Sequence, residues 1–349
     1  MSNRRFFKGA DAARWLFIGL LLICPPSMLT AGQPTTVSAS TYSGEAAAVR
    51  ANVLGIKTSV SDTGSVAASG GERQSSALTF SIPNLITGEV AHATVFAKGN
   101  VSASEASMAR VLLNVGGNVI ASSLLAAHAL AKCTPTGVRV SADPNIIGLT
   151  VNGASIQISG KPNQTISLPN GKIIINEQAK ASTQTSGHIS VSAVHVIITG
   201  SADVVLSEAN AGISCPSGPE SCGDDDFTTG GGFITNPSGA KANFGVAGGF
   251  QQNGSLFGHL EYIDHGANGP KVHGTSVTGY TRVNATTREI FGTARVNGQT
   301  GFTYQVTVID NDPPGHDSFS IHLSNGYSAG GNLGGGHIEI HGDCDSDND

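Results

Sequence analysis

Residues 105–133 read EASMARVLLNVGGNVIASSLLAAHALAKC, and how they are read decides the fold class. Glu105–Val115 and Ala121–Cys133 are rich in Ala and Leu, so intrinsic propensity alone favours helix in both. Between them stands Gly116-Gly117. Two successive glycines supply the positive φ angles of a two-residue hairpin turn, which predicts two antiparallel strands joined at that tip.

Working outward, the same punctuation recurs as Asn-Gly. It occurs at Asn152-Gly153, Asn170-Gly171, Asn253-Gly254, Asn268-Gly269, Asn297-Gly298 and Asn325-Gly326. Each is a candidate hairpin tip. The flanks agree: Gly301–Ile309 and Ser318–Leu323 alternate with period two and are rich in β-branched or aromatic residues. The expectation is an all-β chain of two antiparallel β-sandwich or barrel-like domains.

Residues 1–31 have the order of a secretory signal peptide. Arg4, Arg5, Lys8 and Arg14 precede the apolar run Trp15–Cys24, and small residues follow at Thr30, Ala31 and Gly32. The run is short for a membrane span. The arginine pair matches a twin-arginine signal imperfectly, so Sec-type export is expected, and Ile23 before Cys24 argues against a lipoprotein. Cleavage near Ala31 removes those four basic groups and Asp11, taking the net charge from −6 to −9. An acidic surface repels phosphate backbones and anionic lipid, which argues against nucleic-acid and membrane-surface partners. The only Trp leaves with the signal.

Composition divides the remainder. Residues 40–215 are rich in Ala, Ser and Val. Residues 216–229 read as a linker of Pro, Gly, Ser and Asp. Residues 230–342 hold about half of the 46 Gly, and 343–349 form an acidic tail. With 39% hydrophobic residues and 13% charged, the chain has enough apolar surface for packed cores.

Two blocks resemble known bacterial surface domains. Gly171–Gln178 (GKIIINEQ), His188–Val196 (HISVSAVHV), Asp203-Val-Val and Ala211–Cys215 resemble the N-terminal domain of the choice-of-anchor P family. Gly258–His265 (GHLEYIDH), Val272-His273, Phe302–Asp310 and Gly326–Gly330 through His341 look like the post-COAP-1 domain that often follows it. The resemblance implies a secreted or surface-associated protein with no catalytic residues to carry over. The acidic end lacks a sorting motif, so release or non-covalent retention is expected, with no transmembrane anchor in the mature chain.

Cys133, Cys215, Cys222 and Cys344 remain after signal removal, and an even count in an exported chain points to disulfides. Three connectivities are open. A Cys133–Cys215 bridge would close a long loop in the first domain and Cys222–Cys344 would clasp the second, while a local Cys215–Cys222 loop is the alternative.

For chemistry, His337-Ile-Glu-Ile-His341 places His337, Glu339 and His341 on one face of a strand. His259 and Glu261 repeat the pattern. Imidazoles and carboxylates on one face suit zinc or another divalent metal, whereas a solvated face opposite buried Ile is the plain structural alternative. The oxygen-rich loop with Asp310 and Asp312 could take calcium, although ordinary turn chemistry explains it equally well. No nucleophile elbow, H-E-x-x-H helix or phosphate-cradling loop is present, so no cofactor and no catalysis are expected. Sugar stacking would fall to Tyr42, Tyr262, Tyr280, Tyr304, Tyr327 and Phe. The expectation is therefore a non-enzymatic structural or adhesive protein with an extracellular protein or glycan partner. A glycan- or metal-binding module centred on the second domain comes next, and an unrecognised hydrolase last.

Overall fold

The computed structural model describes residues 39–216, 226–311 and 316–341, and every regular element among them is a β-strand. The signal segment, Cys222, Cys344, Asp312, most of the linker and the acidic tail lie outside the described residues. Two sheets form a sandwich. In the first, β1 (Thr41–Val53) and β2 (Ile56–Asp62) join β10 (Gln164–Leu168), β11 (Gly171–Ser182), β12 (Ser186–Ile198) and β13 (Ala202–Ser214), with β1 between β13 and β2. In the second, β3 (Gly71–Ile82), β4 (Ile86–Lys98), β5 (Val101–Val115) and β6 (Asn118–Thr134) run side by side. Strand β7 (Gly137–Ile147) and the short pair β8 (Thr150–Val151) and β9 (Ala154–Ser155) extend it beyond β6.

The remaining strands close a barrel of neighbours in chain order: β14 (Phe227–Thr235), β15 (Lys241–Phe250), β16 (Leu256–Asp264), β17 (Lys271–Arg282), β18 (Thr287–Val296), β19 (Gln299–Ile309), β20 (Ser318–Leu323) and β21 (Ser328–His341), which pairs back to β14. Phe227–Thr229, assigned to the linker by composition, belong to the first barrel strand. They are aromatic and β-branched residues suited to a pleated, buried surface.

The opening stretch forms the predicted hairpin. Val115 pairs with Asn118, and Gly116 and Gly117 take φ of 56° and 76°. Its helix-like composition has a physical cause. Every residue from Val101 to Ala109 is buried, because one face of β5 meets the first sheet and the other meets the barrel. Even-numbered residues turn to the sandwich: Ser104 donates to the Asn210 carbonyl, and Met108 joins the main core. Odd-numbered residues turn to the barrel, where Val101 and Ala103 pack with Phe96, Phe227 and Phe257. A sheet covered on both faces cannot show polar alternation, and small residues let both layers approach. The helical preference of Ala, below about 1 kcal/mol per residue, is outweighed by this burial.

Among the Asn-Gly pairs, Asn152-Gly153 and Asn297-Gly298 have both φ angles positive and tip the β8–β9 and β18–β19 hairpins. At Asn170-Gly171 the turn is displaced by one residue: Leu168 pairs with Gly171, leaving Pro169-Asn170 at the tip. Proline prefers the first turn position of a type I turn, and this sets the register.

The sandwich core unites Val49, Ile175, Val196 and Leu206 of one sheet with Met108, Leu113, Leu125 and Ala127 of the other. The barrel has its own core, including Phe244, Tyr262, Tyr304, Val306 and Phe319. Apolar residues point inward, the reverse of a membrane-spanning barrel. Among the described residues no helix is long and apolar enough to cross a membrane. Cys133, on β6, is bonded to Cys215, just beyond β13, and so ties the two sheets together.

Candidate metal centre

The barrel docks against the second sheet through β14, β15, β16 and β21. Close approach is possible because Gly231 faces Ser107: a Cβ on Gly231 would lie 2.2 Å from the Ser107 hydroxyl oxygen. Strand register lines up ionisable groups on both surfaces. On the sheet, Thr94, Glu105 and His128 stand abreast on β4, β5 and β6, with His92 one row away. On the barrel, His337, Glu339 and His341 alternate along β21, while the intervening Ile338 enters the barrel core.

His128, Glu339 and His341 come together. One donor atom from each lies within 4.8 Å of the others. His128 Nδ1 is 2.9 Å from Glu339 Oε2, and His341 Nδ1 is 3.7 Å from Glu339 Oε1. A tetrahedral ion with bonds of about 2.1 Å sets its donors roughly 3.4 Å apart, so His128 would move slightly away from Glu339 to admit one. Both histidines are buried, and their Nε2 atoms have no hydrogen-bond partner. Two imidazoles and a carboxylate form a donor set suited to zinc, and unsuited to calcium, which takes oxygen ligands.

The charges around Glu339 are arranged accordingly. Burial would raise the Glu339 carboxyl, but His128 and His341 hold it well below its usual range. Burial also works against a charged His128, yet Glu339, with Glu105 behind it, outweighs that and raises its pKa. His341, stacked on Phe227 with ring centroids 4.1 Å apart, is lowered to about 4 by burial and stays neutral. Ionised Glu339 and neutral His341 are already in the forms that bind metal, and His128 must give up its proton to join them.

The remaining sequence candidates separate. His337 turns its Nδ1 to Asp317 at 3.1 Å and its Nε2 to Glu339 at 3.6 Å. Although burial opposes its charge, the hydrogen bonds to Asp317 and Glu339 raise it to about 11. It stands as a cation beside the cluster. Asp310 accepts the Ile340 amide and is pushed up to about 6 by burial, and Asp317 accepts the amides of Asn311 and Ile338. Those oxygens already serve backbone donors. His259 and Glu261 share the sheet-facing side of the barrel but not the cluster. Register places His259 on one row with Glu339, three strands away, or about 14 Å at the usual strand spacing.

His259 and Glu261 build a second polar centre instead. His259 Nε2 contacts His92 Nδ1, and its Nδ1 lies 3.1 Å from Gln74 Oε1. Glu261 accepts from Ser76 at 2.8 Å and meets His273 Nδ1 at 2.7 Å. Burial, with His92 and His273 nearby, holds His259 well below the usual imidazole range. Unfolded, it binds a proton near pH 6.5; folded, it refuses one. The His259 contribution to stability should therefore fall as pH drops through 6.5, because the unfolded chain takes up the extra proton. Glu261, raised by burial, and His128 and His337, raised against burial by their carboxylate partners, act in the opposite direction. The wild-type urea midpoint should therefore fall relative to that of His259→Gln as pH is lowered from 7.5 to 5.5.

Sequence reading misses His128, and also His92 and Glu105. The available signal was a titratable group, His92, Glu105 or His128, set among small and apolar residues in each of three neighbouring strands. Three of the five tyrosines, Tyr262, Tyr280 and Tyr304, are buried in the barrel core and offer no sugar-stacking face. No protein-family model matches the chain, and no match appears among curated proteins or solved structures.

Proposed function

We propose that this is an exported, surface-associated β-protein of structural or adhesive type in which a divalent transition-metal ion, zinc in class, clamps the barrel to the sandwich. The observation that carries the reading is the origin of the donors: His128 comes from the sandwich strand β6, and Glu339 and His341 from the barrel strand β21. An ion bound there joins strands distant in sequence and stabilises only the docked arrangement. Export and surface location are supported by the order of residues 1–31 and by the resemblance to choice-of-anchor P and post-COAP-1 domains. A non-enzymatic role is supported by the same resemblance, which implies no catalytic residues.

The test is thermal unfolding of the chelator-treated protein with and without zinc. A ligand at a thousand times its Kd stabilises the native state by about 4 kcal/mol, which should appear as a rise of several degrees in Tm. Calcium should give no comparable rise. Glu339→Gln keeps the side-chain shape but removes the ionised donor, and should abolish the zinc response. An unchanged Tm for the wild-type protein with saturating zinc would remove the metal from this reading.

A further inference from the structure

Beside the cluster runs a groove of about 1530 Å³ between the β6–β7 edge of the sandwich and the barrel, with His128, His337 and Glu339 in its wall. Its charge is unlike that of the rest of the chain. Residues 32–349 contain 15 Lys and Arg, and five of them, Lys132, Arg139, Lys180, Arg282 and Arg288, line this groove. Arg288 is committed to Asp226 at 2.8 Å. Lys132, Lys180 and Arg282 form no ion pair among the described residues. Three acids face them: Glu339 belongs to the cluster, Asp310 accepts the Ile340 amide, and Asp143 stands on β7. In a chain of net charge −6, this cationic wall is a local reversal.

The rest of the lining narrows the ligand. Among the described residues no Phe, Tyr or Trp lines the groove, so they offer neither neutral sugar faces nor nucleobases a stacking platform. Thr134, Ser141, Ser182, Thr286 and Asn311 supply hydroxyl and amide groups along its length. Cations spaced among hydroxyls match a polymer that alternates carboxylates with hydroxyls. We infer that the groove binds a carboxylate-bearing polysaccharide, of the uronate class, with one carboxylate completing the coordination of the metal held by His128, Glu339 and His341. The second half of this inference rests on the metal reading above; the cationic wall stands without it. A three-ligand ion keeps a position open for an outside oxygen donor.

The experiment uses the full mature chain loaded with zinc and three polymers: polygalacturonate, a neutral glucan of similar length, and poly-aspartate. Calorimetry should show polygalacturonate binding that weakens at least tenfold between 50 and 500 mM salt, about the loss expected when a few fixed charges are screened. The neutral glucan should not bind. The double variant Lys180→Ala/Arg282→Ala should bind polygalacturonate at least tenfold more weakly while binding zinc normally, since neither residue is a donor. Equal binding of the neutral glucan, or no effect of the double variant, would overturn the inference. Poly-aspartate binding as tightly as polygalacturonate would also overturn it, pointing to an acidic peptide partner. Zinc titrated separately keeps the two readings apart. Normal zinc binding without polymer binding defeats the groove alone. Polymer binding that survives chelation defeats the metal contact while leaving the cationic wall.

Discussion

Replacing Cys133 and Cys215 together by Ala should lower stability by about 4.5 kcal/mol, the chain-entropy value for a loop of this length. The bonded residues are 82 positions apart, so the bridge restrains a long stretch of the unfolded chain. It also joins the end of β6 in one sheet to the end of β13 in the other. The sandwich core it supports is built largely from Ala and Val, with small buried area per residue, so a covalent link contributes a large share of the total. Urea unfolding of the oxidised protein and the double variant would read the difference as a lower midpoint. Equal midpoints would show that the loop is already restrained in the unfolded state.

The second large effect is expected at Phe96, which is 1% exposed and stands between sandwich and barrel. Its ring stacks on Phe227 with centroids 3.5 Å apart and lies 5.8 Å from Phe257. Phe96→Ala leaves a cavity lined by Val101, Ala103, Phe227 and Phe257, whose strands are held by ladders and cannot collapse into it. The expected cost is about 3–5 kcal/mol. Val119→Ala, at an exposed position, is the control and should change stability by less than about 0.5 kcal/mol. If Phe96→Ala costs no more than that control, this aromatic cluster is not what binds the barrel to the sheet.

Most of the strand pattern was legible because turns are local chemistry. Gly116-Gly117, Asn152-Gly153 and Asn297-Gly298 take the φ signs their residue types favour. Where the signal failed, competing local chemistry won, as at Pro169, which moved one turn by a residue. The alternation of His337, Glu339 and His341 opposite Ile338 could also be read, since it follows from the period of a strand. The partner of that face could not. His128 is more than 200 residues earlier in the chain, in a run whose composition points to helix.

By itself, then, the sequence of residues 105–133 determined a hairpin, through the one feature that overrides propensity, a glycine pair at its tip. It did not determine what lies on either side of that hairpin. Only the tertiary structure decided that β5 and β6 are covered on both faces. That is why Ala and Ser fill them, and why Glu105 and His128 are buried groups facing a barrel. The physical reason is that strand period is a property of neighbouring residues, whereas burial on the second face depends on a surface supplied from more than 100 residues away.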